Sequence, residues 1–229
     1  MMAVGIVGGL GVGATVHYYE KITAACKARG VSPDLIVTHA DVEHGQNLIR
    51  AGRLDDLAAY LAGFIERMAQ AGAETAVLPA VTPHICKAEL RRHTSVPLID
   101  IVDCLGAELV RAKLHRVALF GTVFTMEGSL WGQLQPGIDI AKPQPKEIAF
   151  IGRAYQRILD TQTADPDDAA GLRRIAADLQ RRDGVEAILL AGTDLALMFD
   201  EKTAGFPTLD VARLHIDAIV ERLCAPRGM

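Results

Sequence analysis

Three short stretches of this 229-residue chain place hydroxyl, carboxylate and imidazole groups where an apolar run gives way to a polar one. Thr82-Pro83-His84 follows the run from Val77, Thr122 and Thr125 follow the run from Ala118, and Thr193 and Asp194 follow the run from Ile188. Threonine hydroxyls and loop amides at such strand-to-helix junctions are neutral hydrogen-bond donors. Neutral imidazole is a competent base near pH 7, so His84 with Asp194 or Asp41 could do acid–base work. The structural alternatives stay open: threonine at a strand end is also a good helix N-cap, and His84 could simply order its loop. Cys86 stands where a first helical turn would lower a thiol pKa, or it is a small buried hydrophobe.

A fourth stretch, Gly9-Leu10-Gly11-Val12-Gly13-Ala14, fits the G-x-G-x-x-[GA] pattern between a strand and a helix, with Asp41 ending the next apolar run. On pattern alone this is a dinucleotide fingerprint. The glycines could equally let backbone amides approach a carboxylate, with Gly9 and Asp41 as substrate contacts, and Asp41 could cap the next turn.

The elements that must carry these loops are legible as a strand and helix alternation. Runs rich in Val and Ile at 3–8, 35–40, 75–80, 116–121 and 186–191 predict buried parallel strands. Leu54, Leu57, Ala58, Leu61, Phe64, Ile65 and Met68 form one helical stripe that Gly72 ends. Further helices are predicted at 14–28, 102–113, 146–159, 167–182 and 211–223, with Asp103 and Asp167 in capping or first-turn positions. The fold class is α/β. GIVGGLG at Gly5 resembles ALFGTVF at Ala118, and ETAVLPA at Glu74 resembles EAILLAG at Glu186, at offsets that agree within a residue. Such a repeat predicts two pseudo-symmetric parallel-sheet domains, residues 1–101 plus 208–229 and residues 102–207, with the site in a cleft where strand C-termini face each other.

Composition narrows the function. With 24 basic and 28 acidic side chains scattered among each other, no basic face offers itself to nucleic acid. No apolar run approaches the roughly 18 residues of a membrane span, and no basic segment opens the chain, so the expectation is a cytoplasmic protein with no membrane partner. The four cysteines lie far apart without a Cys-x-x-Cys pair, which suggests neither a zinc site nor a disulfide framework.

Read together, the loops resemble the aspartate/glutamate racemase superfamily in its aspartate racemase branch. GGLGVGATVHYY is similar to the family's GGMGPEATxxYY, VLPAVTPH to VLPCNTPH, ALFGTVFTME to LLGTxxTM, ILLAGTDL to ILGCTEL, and PTLDVARLH to PVFDTTxIH, in one order along the chain. The resemblance implies two facing domains, no metal and no pyridoxal or other cofactor, a small carboxylate or amino-acid substrate, and a homodimer. It also implies two cysteines flanking the substrate α-carbon, a thiolate removing a proton on one face and a thiol returning one on the other. Here those positions are Ala80 and Gly192, and the family's substrate-holding asparagine is Val81. Alanine and glycine transfer no proton, so two-thiol racemisation does not carry over. Thr82, Thr122, Thr125 and Thr193 keep the family's carboxylate cradle, and Asp194 replaces its usual glutamate. No counterpart of its substrate-binding arginine stands after the second strand, where Arg50 and Arg53 are expected to begin a helix. A loop from Pro136 to Pro145 could cover the site, with Lys142 and Lys146 either meeting a distal carboxylate or remaining solvated. The expected function is a cofactor-independent enzyme acting at the carbon next to a carboxylate. The alternatives are a binding homologue without chemistry, a lyase or isomerase using His and Asp, and a nucleotide-dependent enzyme.

Overall fold

A computed structural model describes residues 2–134 and 137–225. The chain forms two compact units, and it passes from one to the other between Ile101 and Val102 and again between Leu214 and His215. The first unit runs β1 (Ala3–Gly8), α1 (Val12–Ala28), β2 (Asp34–His39), α2 (Val42–Arg50), α3 (Leu54–Gln70), β3 (Thr75–Val77), a 3-10 turn (Thr82–Cys86) and α4 (Lys87–His93). Its sheet has the order β2-β1-β3, all parallel, with Ile6 opposite both Val37 and Val77. Central β1 is buried along its whole length, which is why it reads as a continuous apolar run and not as an alternation. The α3 stripe covers it: Leu57, Leu61, Ile65 and Met68 are at most 1% exposed. Each such side chain contributes roughly 1.5–3 kcal/mol of burial free energy. Gly5 lets the stripe come this close, since a Cβ there would lie 2.9 Å from the Met68 sulfur.

Beginning at α5 (Ile101–Ala112), the chain continues through β4 (Arg116–Phe120), α6 (Val123–Glu127), a 3-10 turn (Ser129–Gln133), β5 (Asp139–Ile140), α7 (Pro145–Thr161) and α8 (Pro166–Asp183). It then adds β6 (Ala187–Leu190), a 3-10 turn (Thr193–Leu197), β7 (Thr208–Asp210) and α9 (Val211–Cys224), whose last residues belong to the first unit. The second sheet, also all parallel, has the order β5-β4-β6-β7. Its first three strands repeat the order of the first sheet. The single parallel bridge of Leu98 to Ala76 stands where β7 stands beside β6.

Three details differ from expectation. The stretch at 41–46, which the sequence predicts to be a strand-end loop, is helical, because the Asp41 carboxylate accepts the Glu43 and His44 amides at 2.9 and 3.3 Å and starts α2 there. Arg50 accordingly ends α2, and Arg53 immediately precedes α3. Strands β5 and β7 have only two and three residues, too few to show a period. Because β7 pairs with β6, Leu209 opposite Leu189, residues 208–214 stay with the second unit and the chain returns to the first at His215. Pro136 lies outside the described residues, and Lys142 and Lys146 are exposed. Among the described residues no helix is long and apolar enough to cross a membrane.

The turn after β1 is built around Gly9, at φ +83°. A Cβ there would meet the Ala40 carbonyl oxygen and lie 2.8 Å from the Ala40 nitrogen, because the Ala40 amide donates to Gly8 O at 2.8 Å. Gly9→Ala is expected to cost about 2–4 kcal/mol, combining left-handed strain with overpacking, as read from urea unfolding.

Candidate functional site

All strands of a parallel sheet end at one edge, so the loops after β1, β2 and β3 share one edge of the first unit's sheet, and those after β4 and β6 share one edge of the second unit's own sheet. In the first unit this collects Gly9, Asp41, Ala80, Val81, Thr82 and His84. Gly9 spends its amide on Thr15 Oγ1 at 3.1 Å, and the Thr15 hydroxyl donates to Gly11 O at 2.8 Å, so the glycine loop is tied to its own helix. Asp41 is an exposed N-cap, and its amide donates to the Tyr60 hydroxyl at 2.7 Å. Val81 is buried and is the N-cap of the 3-10 turn, while Ala80 and Thr82, the first residue of that turn, are half-buried.

His84 is 2% exposed, with Nδ1 2.9 Å from Ala80 O. A carbonyl only accepts, so Nδ1 carries the proton and Nε2 turns to Asp100, whose Oδ2 lies 4.0 Å away. That carboxylate pairs with Lys87 Nζ at 3.2 Å. Burial holds the imidazole below its usual pKa, against the opposing pull of Asp100. His84 therefore ties the Ala80 carbonyl down from inside the unit, the loop-ordering role that its position left open. Beside it, His215 donates from Nε2 to Ile99 O at 2.8 Å and accepts the Tyr18 hydroxyl on Nδ1 at 3.1 Å. Cys86 is fully buried in the core and its thiol donates to Pro83 O at 3.2 Å. Burial outweighs any helix dipole there and pushes the thiol up to about 12.

In the second unit, Thr122 caps α6: its Oγ1 accepts the Thr125 amide at 3.0 Å and meets the buried Thr125 hydroxyl at 2.8 Å. Trp131 Nε1 fixes the same turn by donating to Thr125 O at 2.7 Å. Gly121 brings this loop against the next one, since a Cβ there would lie 3.3 Å from Ala191 O and 3.4 Å from Gly192 N. Thr193 and Asp194 are both buried, and the Thr193 hydroxyl donates to Asp194 Oδ2 at 3.4 Å. A second donor to that oxygen comes from α7: the Tyr155 hydroxyl, at 3.2 Å. Burial first, and then the charge of Asp194, raises the Tyr155 pKa far above its usual value, so the phenol is neutral. The tyrosine ring also lies over Gly192, where a Cβ would be 2.6 Å from Cζ and 3.0 Å from Cδ2. Any side chain at position 192 would displace that ring.

Sequence reasoning missed Tyr155, and also the Lys87–Asp100 pair. Tyr155 sits in a helical stripe with Ile148, Ile151, Ala154 and Ile158 and reads as one more core residue. Its only signal is that a buried phenol needs a hydrogen-bond partner. Among the described residues no group of three or more His, Cys, Asp or Glu side chains is placed to hold a metal ion.

Residues 7–219 match the model of the Asp/Glu/Hydantoin racemase family. A crystal structure of a candidate Asp/Glu racemase from Yersinia pestis superposes with a TM-score of 0.87 at 23% identity, over 98% of this chain and 100% of that one. An aspartate racemase homologue from Pyrococcus horikoshii OT3 gives 0.83 at 22% identity over 98% and 100% of the two chains. The aspartate racemase of Picrophilus torridus gives 0.75 at 21% over 97% and 94%. At these identities the likeness is one of fold, an α/β architecture with parallel sheets.

The buried histidines set an acid limit on stability. His215 is pushed down to about 3, by burial first and then by His84, so the folded chain keeps it neutral while the unfolded chain protonates it near 6.5. Its contribution is complete above pH 6.5 and is lost as the pH falls toward 3. Between pH 7 and pH 5 that amounts to about 2 kcal/mol, with His84 acting in the same direction. Urea unfolding at the two pH values should show the loss, and His215→Gln, less stable at pH 7, should show a shallower dependence; an unchanged slope would contradict the assignment.

Proposed function

Because the chain belongs to the Asp/Glu/Hydantoin racemase family, we propose that it binds a small carboxylate or amino acid at its strand-end loops, without two-thiol racemisation. The observation that carries this reading is the filling of the second thiol position by the Tyr155 ring, while the first is a methyl group at Ala80. Neither group takes up or releases a proton at an α-carbon. Thr82, Thr122, Thr125 and Thr193 occupy the positions of the family's carboxylate cradle, although Thr193 spends its own proton on Asp194 Oδ2, so a carboxylate there draws on the loop amides as well. For Thr122 the capping bond leaves hydroxyl capacity to spare, since an oxygen with two lone pairs and one proton can serve both partners.

A second reading, proton transfer at the carbon next to a carboxylate by groups other than thiols, draws its support from the buried Tyr155–Asp194 hydrogen bond. His84 contributes less to it, with Nδ1 engaged by Ala80 and Nε2 facing the Lys87–Asp100 pair. Nucleotide binding loses its main support, since the Gly9 amide is taken by Thr15 and the glycine itself is needed for the close pass against Ala40. Homodimerisation is supported by an exposed apolar stripe on α1, Val12, Val16 and Tyr19, at 64%, 52% and 52% exposure. On edge strand β2, Ile36 packs toward α3, so Val37, 47% exposed, points to the opposite face of the sheet.

Two measurements test the proposal. Incubation with L-aspartate or L-glutamate in D2O should leave the α-carbon protonated by NMR, and rapid deuteration would refute the loss of two-base chemistry. Malonate, succinate or L-aspartate should raise the melting temperature with the logarithm of ligand concentration above Kd, about 2.7 kcal/mol of stabilisation at a hundredfold excess over Kd. Stabilisation by NAD or ATP instead would overturn it. For the dimer, light scattering should give twice the chain mass for the wild type and the single-chain mass for Val16→Asp/Tyr19→Glu.

A further inference from the structure

The two substituted thiol positions have not been emptied in the same way. Ala80 still carries a Cβ and lacks only the sulfur, whereas position 192 carries no side chain and its space has been taken by a residue from another element. Tyr155 enters from α7 and is 6% exposed. Its hydroxyl is fixed by Asp194 Oδ2 at 3.2 Å, and Asp194 is fixed in turn by Thr193 at 3.4 Å. The ring is therefore held at both ends, by the helix behind it and by the loop in front. A single sulfur atom on a rotatable Cβ has been exchanged for a rigid six-carbon ring that cannot turn aside without breaking its bond to Asp194.

We infer that Tyr155 of α7 is the specificity-determining residue beside the β6 loop: its ring replaces the thiol as the surface that a bound carboxylate meets, and it restricts the site to short carboxylates. This rests on the reading that the loop receives a small carboxylate at all. A ring clamped over Gly192 removes the room that a longer or α-substituted acid would use on this side. Malonate and succinate are accepted ahead of L-aspartate and L-glutamate. The hydroxyl and the ring have separate tasks, since the ring sets the size limit and the hydroxyl keeps the ring in place and satisfies buried Asp194.

Calorimetric titration of the wild type, Tyr155→Phe and Tyr155→Ala with malonate, succinate, L-aspartate and L-glutamate tests this. Tyr155→Ala should tighten L-glutamate relative to malonate by at least about tenfold, whereas Tyr155→Phe, which keeps the ring, should preserve the wild-type size order. An unchanged glutamate-to-malonate ratio in Tyr155→Ala would overturn the inference. If Tyr155→Ala does not fold, Tyr155→Leu makes the same comparison. A stability cycle supplies the second arm: Gly192→Ala should lower the urea midpoint when Tyr155 is present and lose most of that effect in the Tyr155→Ala or Tyr155→Leu background. Additive effects with normal carboxylate binding would sink the role of Tyr155 alone. Coupled effects with no binding of any carboxylate by any variant would sink the carboxylate reading and the size limit with it.

Discussion

In a parallel sheet, neighbouring strands lie about 4.8 Å apart and must all finish at the same edge. Side chains with no relation in sequence are thereby delivered to one neighbourhood. In the first unit, three hydrogen-bonded strands carry residues from positions 9, 41 and 80–84 to one edge; in the second, adjacent β4 and β6 do the same for 122–125 and 192–194. Everything chemical in the chain depends on that backbone pairing. The glycines are where the constraint is tightest, since the loops can be neighbours only if main chain passes main chain, as Gly9 passes Ala40 and Gly121 passes Ala191.

How much of this could be read in advance depended on how many residues share a signal. The α3 stripe and the apolar run of β1 were legible because many positions repeat one physical statement, that this face is buried. Strands β5 and β7 were not, because two or three residues express no period and their existence is decided by a neighbour already in place. Strand ends and the family's motifs pointed to the loops at 80–84, 122–125 and 192–194 as the place to look. Site roles did not. Asp41 could cap or bind, and only the positions of the Glu43 and His44 amides show that it caps. Local reasoning about Cys86 weighed a helix dipole, yet the decisive quantity was burial, which belongs to the whole unit. Tyr155 was out of reach for a related reason: its importance lies in a contact with Gly192, a residue that has no side chain to advertise it.

Beneath the β3 loop, the first unit keeps a set of polar groups that an apolar core would have avoided: His84, Lys87, Asp100, His215 and the Tyr18 hydroxyl. Burying them costs desolvation, and the hydrogen bonds and the ion pair among them offset that cost only while all partners are present. Such a set is intolerant of partial loss. It also gives the Ala80 carbonyl a fixed position, which a purely apolar support could not define, since dispersion has no direction.

His215 reaches Tyr18 and Ile99 from a helix at the far end of the chain. The second unit is one continuous stretch, from Val102 to Leu214, while the first has its final helix supplied only after that stretch. On a ribosome, where domains fold as units when their chain is complete, the order is therefore inverted: the later-encoded unit has all its residues before the earlier one does. Only when α9 emerges do the Tyr18 hydroxyl and the Ile99 carbonyl meet His215, so the polar core of the first unit is completed after every residue of the second has been made.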